Sequence, residues 1–446
     1  MLRYTLLIII LLFQVSSGFQ PLLAQDKWTL EECLAYAEEN SIALKRSQIT
    51  ADKRKSDLLT RRLELLPDLR FQSQGSMNFG RSVDPETNTI TFNQNIANYY
   101  YLGTGVTIFN GFAQLNRISA ARYLHLSGEA AEEKERNMLA LDIINAYYNT
   151  LMAKGTVKSA EQQVEVSKAQ YHKTEVLVET GAESKTTLLE IQSQLSNDKL
   201  LLSQARTNEG IVLENLRLLL QLEPGKAFDI EDQTEVILVR TSGSINTDSI
   251  YNTSKDILPR IKTLELQTSA RKKQLAALRG VSTPEIEAFA AWRTGYYDAM
   301  VPGEDPIPFN EQLRNNTNQY VGIGLNIPIF NNWYNRNNIK KAKLDLKDSE
   351  LELLNEKNTL FNEINRACFE LISVRDEYVS AVDNLEFNKL SFEAVSKKFD
   401  TGLASATEFA EAKEALFTAE ISLLSAQLQY KLKEMTVNFY MTGKWE

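Results

Sequence analysis

Four stretches of this chain alternate between apolar and polar residues with a period of two. Leu69, Phe71, Met77 and Phe79 share one parity; Arg70, Gln72, Gln74, Ser76 and Asn78 share the other. From Tyr101 to Phe109, Leu102, Thr104, Val106 and Ile108 oppose Tyr101, Gly103, Gly105 and Thr107. In the second half, Ile286, Ala288, Ala290 and Trp292 oppose Glu285, Glu287, Ala291 and Arg293. Val321, Ile323, Leu325, Ile327 and Ile329 likewise oppose Tyr320, Gly322, Gly324 and Asn326. Successive side chains of a strand point to opposite faces, so each stretch predicts a strand with a single apolar face. The polar segments Ser82 to Asn98, with Asp84-Pro85, and Asp298 to Gln319, rich in Pro and Asn, predict loops joining paired strands.

The remaining pattern is helical. Leu30 to about Leu66 predicts one helix, opened by Thr29 as N-cap with Glu32 three positions on, and ended by Pro67. Phe112 to Thr180 contains no Pro, and Trp333 to Asp400 contains neither Pro nor Gly. Each predicts a rod of about 100 Å at the helical rise per residue. Gly181 and Gly402 end the rods, and each chain then turns into a second long helix. The returning helices carry heptads: Leu188, Leu195, Leu202 and Leu216 with Ile191, Ala205, Val212 and Leu219 in the first half. In the second half Phe409, Leu416, Leu423, Tyr430 and Val437 recur with Ala412, Ala419, Ala426 and Tyr440, Lys433 being the exception. A seven-residue apolar period implies supercoiled helix pairs.

These elements occur twice in the same order. Thr180-Gly181-Ala182-Glu183-Ser184 returns as Thr401-Gly402-Leu403-Ala404-Ser405, and Tyr101-Leu102-Gly103-Thr104-Gly105 as Tyr320-Val321-Gly322-Ile323-Gly324. Pro67-Asp68-Leu69 matches Pro284-Glu285-Ile286 more weakly. The expected organisation is a leader (1–24), a first repeat (25–222), a connector (223–258) and a second repeat (259–446). Val236-Ile237-Leu238-Val239 is a strand candidate within the connector.

Composition narrows the class. Arg3, the apolar run Leu6 to Phe13 and Ala24 read as a secretory leader. No later run is long and apolar enough for a spanning helix, so a membrane span would have to be built of strands. A net charge of −9 with interspersed signs argues against a nucleic-acid partner. Cys33 and Cys368 are the only cysteines and predict two buried thiols rather than a disulfide. His125 and His172 lie far apart, so no metal centre or other cofactor is expected. There is no phosphate loop, GxSxG or HExxH, and no enzymatic activity is expected.

Four strands cannot close a membrane barrel, for which about eight is the minimum, and an open edge is not tolerated in lipid. Threefold symmetry solves both problems. The expected fold class is therefore an α+β membrane protein: a trimeric 12-stranded β-barrel, four strands per chain, continued by a long α-helical barrel. Two-faced strands alone also fit a soluble sheet. Long helices alone also fit an envelope scaffold or adhesin with a coiled-coil stalk.

Trp28-Thr29-Leu30-Glu31-Glu32-Cys33-Leu34, Leu66-Pro67-Asp68-Leu69, Ile108-Phe109-Asn110-Gly111, Ala146-Tyr147-Tyr148, Ile327-Pro328-Ile329-Phe330-Asn331 and the paired Gly-x-x-Ser tips together resemble the TolC-type outer-membrane efflux proteins. The resemblance spans nearly all of the chain after the leader. It implies a homotrimer in outer-membrane lipid with its helices in the periplasm. That duct would serve efflux or type I secretion, joined to an inner-membrane pump through a periplasmic adaptor. It further implies adaptor docking at Gly181, Ser184, Gly402, Leu403 and Ser405, and a periplasmic gate at Glu408, Glu411 and Phe399. Glu408 and Glu411 share a helix face, and threefold symmetry would make them two carboxylate rings whose repulsion raises some pKa values. Thr187, Phe399 and Ala404 stand where some relatives carry an acid, a Tyr and an Arg, so closure here is expected to rest on Phe399 against Phe409.

Overall fold

The structure, a computed structural model, describes residues 27–83, 88–91, 94–225, 227–232, 246–298, 300 and 307–445. The expected leader, the strand candidate at 236–239 and parts of both inter-strand loops lie outside the described residues. The elements are β1 (Lys27–Trp28), α1 (Leu30–Asn40), α2 (Ile42–Leu63), β2 (Arg70–Asn78), β3 (Ser82–Val83), β4 (Ile90–Thr91), β5 (Asn95–Phe109), α3 (Ala113–Glu179) and α4 (Lys185–Leu220). They continue with β6 (Asp229–Ile230), α5 (Thr247–Ile257), α6 (Pro259–Gly280), β7 (Glu285–Asp298), α7 (Phe309–Asn315), β8 (Asn318–Asn326), α8 (Tyr334–Asp400) and α9 (Ala406–Thr442). Two compact units emerge. One comprises Ser47–Glu132 and Pro259–Asn358; the other comprises Met1–Arg46, Glu133–Leu258 and Thr359–Glu446. Each draws on both sequence repeats.

The first of these units holds an antiparallel sheet in the order β2-β5-β7-β8. Both expected hairpins are present, β2 with β5 and β7 with β8. A third ladder, β5 with β7, runs from Ile96↔Asp298 to Phe109↔Ile286 and joins the two repeats. β5 begins at Asn95 rather than Tyr101, because Asn95 to Tyr100 continue the ladder without keeping the alternation. β8 stops at Asn326, before Pro328, which has no N–H to donate. The edge strands leave their apolar faces bare: Phe71 is 65% exposed, Val321 86% and Ile323 75%. Arg70, Phe109, Glu285 and Asn326 lie at one end of the sheet, and every long helix of this unit joins the sheet there. Gly111 and Gly280 permit the tightest of these junctions. A Cβ on Gly280 would stand 2.5 Å from the Gly111 carbonyl oxygen and 2.9 Å from the Ala113 nitrogen.

At the opposite end lies α7, which the loop composition did not suggest. Its Gln312 is buried and bonds both ways with β7, donating to Tyr297 O at 2.8 Å and accepting from Tyr297 N at 2.9 Å. The first helix also differs from expectation. It breaks at Ser41, whose N–H donates to Ala37 O while its hydroxyl accepts from Leu44 N, so one serine ends α1 and starts α2.

The other unit packs around Cys33, Ala37, Ile143, Tyr147, Leu216, Leu220, Phe228 and Ile230. The capping box on Thr29 and Glu32 forms as expected. Trp28 makes edge contacts with Tyr36 at 5.0 Å and Phe228 at 5.3 Å between centroids. The short β1 pairs in parallel with β6, and Lys154 pins the connector by pairing with Asp229 and, at 3.2 Å, with Asp232. Both cysteines are free and buried, and burial pushes the Cys33 thiol up to about 12. Heptad residues Ile191, Leu195, Leu216, Phe409, Ala419, Ala426, Tyr430 and Val437 are buried, and Lys433 is paired with Glu370 of α8 at 2.6 Å. No helix among the described residues is long and apolar enough to cross a membrane.

Candidate functional site

The two tips are built alike. At the first, Ala182 N donates to Leu177 O at 2.8 Å and Gly181 N to Val178 O at 3.1 Å. At the second, Leu403 N donates to Lys398 O at 2.8 Å and Gly402 N to Phe399 O at 3.0 Å. This crossed pair of bonds satisfies the last helical carbonyls, and it needs a left-handed residue between them. Gly181 and Gly402 supply it with φ of 77° and 74°, and the space where a Cβ would stand is open at both. Ser184 and Ser405 then cap the returning helices, accepting from Thr187 N at 3.1 Å and Glu408 N at 3.2 Å. Leu403 is 78% exposed at the second tip, where the first has Ala182. The α3 and α8 ends are tied by Lys173 and Asp400 at 2.6 Å.

The expected gate residues divide. The Glu408 carboxylate turns back onto its own helix, accepting from Ser405 N at 2.7 Å and Ser405 Oγ at 3.1 Å. That backbone bond, the hydroxyl bond and the Lys398 charge hold it below the usual Glu range within the protomer. Glu411 is exposed. The expected contact of Phe399 with Phe409 is present at 5.2 Å between centroids, and Phe392 adds a second contact with Phe409 at 5.6 Å. These rings fasten α8 to α9 within one protomer.

A buried polar cluster lies farther along the same helices. Lys413 of α9 and Asp198 of α4 are 3% and 1% exposed and form an ion pair. Lys413 Nζ also donates to Ser167 Oγ of α3 at 2.5 Å, Ser167 donates to Asp198 at 2.5 Å, and Gln194 donates to Asp198 at 3.1 Å. Burial pulls the Lys413 pKa down and the Asp198 carboxylate opposes that pull. The trace of this cluster in the chain is the gap at position 198 in the seam Ile191, Ala205, Val212, Leu219. Among the described residues no group of carboxylates, cysteines and histidines is arranged to hold a metal.

The sequence pattern of the outer membrane efflux proteins matches residues 34–220 and again 256–442. This chain belongs to the outer membrane efflux protein family. No curated protein sequence matches it significantly. Its fold is that of solved outer-membrane channels. The Campylobacter jejuni channel CmeC is 17% identical with a TM-score of 0.79, over 94% of this chain and 86% of its own. VceC of Vibrio cholerae is 14% identical with a TM-score of 0.79, over 94% and 97%. The open-state channel MtrE of Neisseria gonorrhoeae is 16% identical with a TM-score of 0.74, over 92% and 88%. Membership of the outer membrane efflux family places the chain in the outer membrane as an exit duct. The duplicated family pattern accounts for the two repeats.

Proposed function

We propose that three copies of this chain form the duct, and that its tips receive a periplasmic adaptor coupled to an inner-membrane pump. The observation that carries the trimer is the sheet: β2 and β8 are open edges with bare apolar faces, and lipid does not tolerate unpaired strand edges. Three four-stranded sheets joined edge to edge make twelve strands, enough for a closed barrel. Docking at Gly181, Ser184, Gly402, Leu403 and Ser405 is supported by two equivalent turns with open space above each glycine and an exposed Leu403 beside one. Glu411, exposed about one turn beyond Glu408, is the better ring former of the two gate carboxylates; Glu408 contributes its charge to the helix end. The cargo follows from the pump rather than from the duct.

The experiment is a pair of measurements, one on the wild-type protein and one on a tip variant. The purified protein should have the mass of a trimer in mild detergent. Gly402→Trp should leave that trimer in the outer membrane and abolish drug export by cells that depend on it. A monodisperse monomer overturns the assembly. Normal export by Gly402→Trp trimers overturns docking at the tip.

A further inference from the structure

Although the chain carries a net charge of −9, three of the four helices that join the sheet are basic where they meet it. Between Gly111 and Gly128 of α3 the only charged side chains are Arg117 and Arg122. Between Leu266 and Pro284, at the end of α6, they are Arg271, Lys272, Lys273 and Arg279. Between Asn331 and Leu344, at the start of α8, they are Arg336, Lys340, Lys341 and Lys343. The first acids beyond these stretches are Glu129, Glu265, Glu285 and Asp345. All three stretches lie in the unit that holds the sheet, within about 20 Å of its helix-bearing end by helical rise.

This basic zone is exposed, and its cations outnumber the acids that share it: Asp57 and Glu64 from the end of α2 line a cavity with Arg117, and Asp345 lines another with Arg271. Among the described residues, Arg117, Arg122, Lys272, Lys340, Lys341 and Lys343 are exposed and have no carboxylate in ion-pair range. Cations are usually interspersed with acids on a solvated helix; here three of the four helices omit the acids over the same interval, while the end of α2 keeps Asp57 and Glu64 beside Arg61 and Arg62.

What precedes the zone identifies what it meets. Going out from the sheet along the last strand and its helix, the chain passes Val321 and Ile323, then Phe330 and Trp333, then Arg336, Lys340 and Lys343. The first two are aliphatic and bare, and Phe330 and Trp333 are 70% and 54% exposed. Arg336 lies over the Trp333 ring at 4.5 Å, so the cation begins where the aromatic ends. Residues 336, 340 and 343 fall on one stripe of α8, and the ring contact with Arg336 brings Trp333, the residue before the helix, to the same side. Aliphatic, aromatic, then cationic is the order of a bilayer read outward: hydrocarbon, interface, phosphate.

We propose that this collar binds the anionic headgroups of phospholipids in the leaflet of the outer membrane that faces the helices. The proposal rests on the outer-membrane duct reading and adds to it a lipid chemistry: a glycerophospholipid with net negative charge, such as phosphatidylglycerol, over zwitterionic phosphatidylethanolamine. Lysine and arginine near a membrane surface act over a Debye length of about 8 Å at physiological salt, so the preference is salt-sensitive.

The test uses the full-length trimer in bilayers of phosphatidylethanolamine and phosphatidylglycerol, with spin-labelled lipids reporting association with the protein. Phosphatidylglycerol should associate roughly fivefold more strongly than phosphatidylethanolamine at low salt, and the ratio should fall to about one in 0.5 M salt. The variant Arg117→Gln/Arg122→Gln/Lys272→Gln/Lys340→Gln/Lys341→Gln/Lys343→Gln should show a ratio near one at low salt. Lys199→Gln/Lys389→Gln, in the unit that does not hold the sheet, should behave as wild type. Inserted wild-type trimers without a preference, or an unchanged preference in the sixfold variant, overturn the collar while leaving the duct reading intact. A wild-type chain that does not insert as a trimer overturns the duct reading and the collar with it.

Discussion

Removing Lys413 alone should cost more than removing Lys413 and Asp198 together. In Lys413→Met the Asp198 carboxylate, 1% exposed, keeps only Ser167 and Gln194 as donors and loses its countercharge. Breaking a buried pair from one side costs about 3–5 kcal/mol, whereas replacing both partners by apolar residues is near neutral or stabilising. Lys413→Met/Asp198→Leu should therefore recover most of the loss. The three helices meeting at the cluster are α3, α4 and α9, so the cost should appear there as local opening. Hydrogen exchange measured on the trimer should show amides near 198 and 413 exchanging about 100-fold faster or more in Lys413→Met, from roughly 1.4 kcal/mol per factor of ten. In the double variant they should return to within about tenfold of wild type. If the single variant exchanges like wild type, or the double variant is worse than the single, the pair does not hold these helices as argued.

Four further outcomes are expected. Glu411→Ala should weaken cation selectivity and block by multivalent cations in single-channel recordings more than Glu408→Ala does; equal effects would contradict the assignment of Glu408 to its cap. Gly280→Ala should lower the yield and melting temperature of the trimer, since overpacking typically costs about 1–3 kcal/mol and here meets backbone atoms. Gly155→Ala should be milder, because its new Cβ meets the end of the Leu424 side chain; the reverse ranking by thermal melting would count against the junction. The Glu408 capping bonds should persist at neutral pH and fade as pH falls through its lowered pKa, since a carboxylate with a depressed folded pKa stabilises above the unfolded value. Amide protection at Ser405, whose N–H donates to that carboxylate, should therefore weaken only below the ordinary Glu range, and not at all with pH in Glu408→Gln. Cys33 should resist maleimide in the native trimer and react on denaturation, its buried thiol being held protonated at neutral pH; rapid native labelling would place it elsewhere.

Periodicity carried much of this protein. Alternation at Leu69 to Phe79 and at Val321 to Ile329 assigned a single apolar face to each of these strands. The heptads through Phe409 and Val437 assigned a buried seam to α9, and Gly181 and Gly402 marked both turns. Each is a local consequence of strand or helix geometry and needs no knowledge of neighbours. Partners separated widely along the chain were decided only in three dimensions. Alternation says which face a strand buries, not which strand lies beside it, so the β5–β7 ladder joining the repeats left no mark in either. Trp28 is legible as the residue before a capping box, but its contact with Phe228 exists only because β1 and β6 pair. Gln312 in a polar loop and Asp198 in an apolar seam look like interruptions. They become structural when Tyr297 offers its backbone and when Lys413 and Ser167 bring charge and hydrogen bonds to a buried carboxylate. A polar side chain is stable in a protein interior only if its partners arrive with it, and those partners come from packing, which no local period encodes.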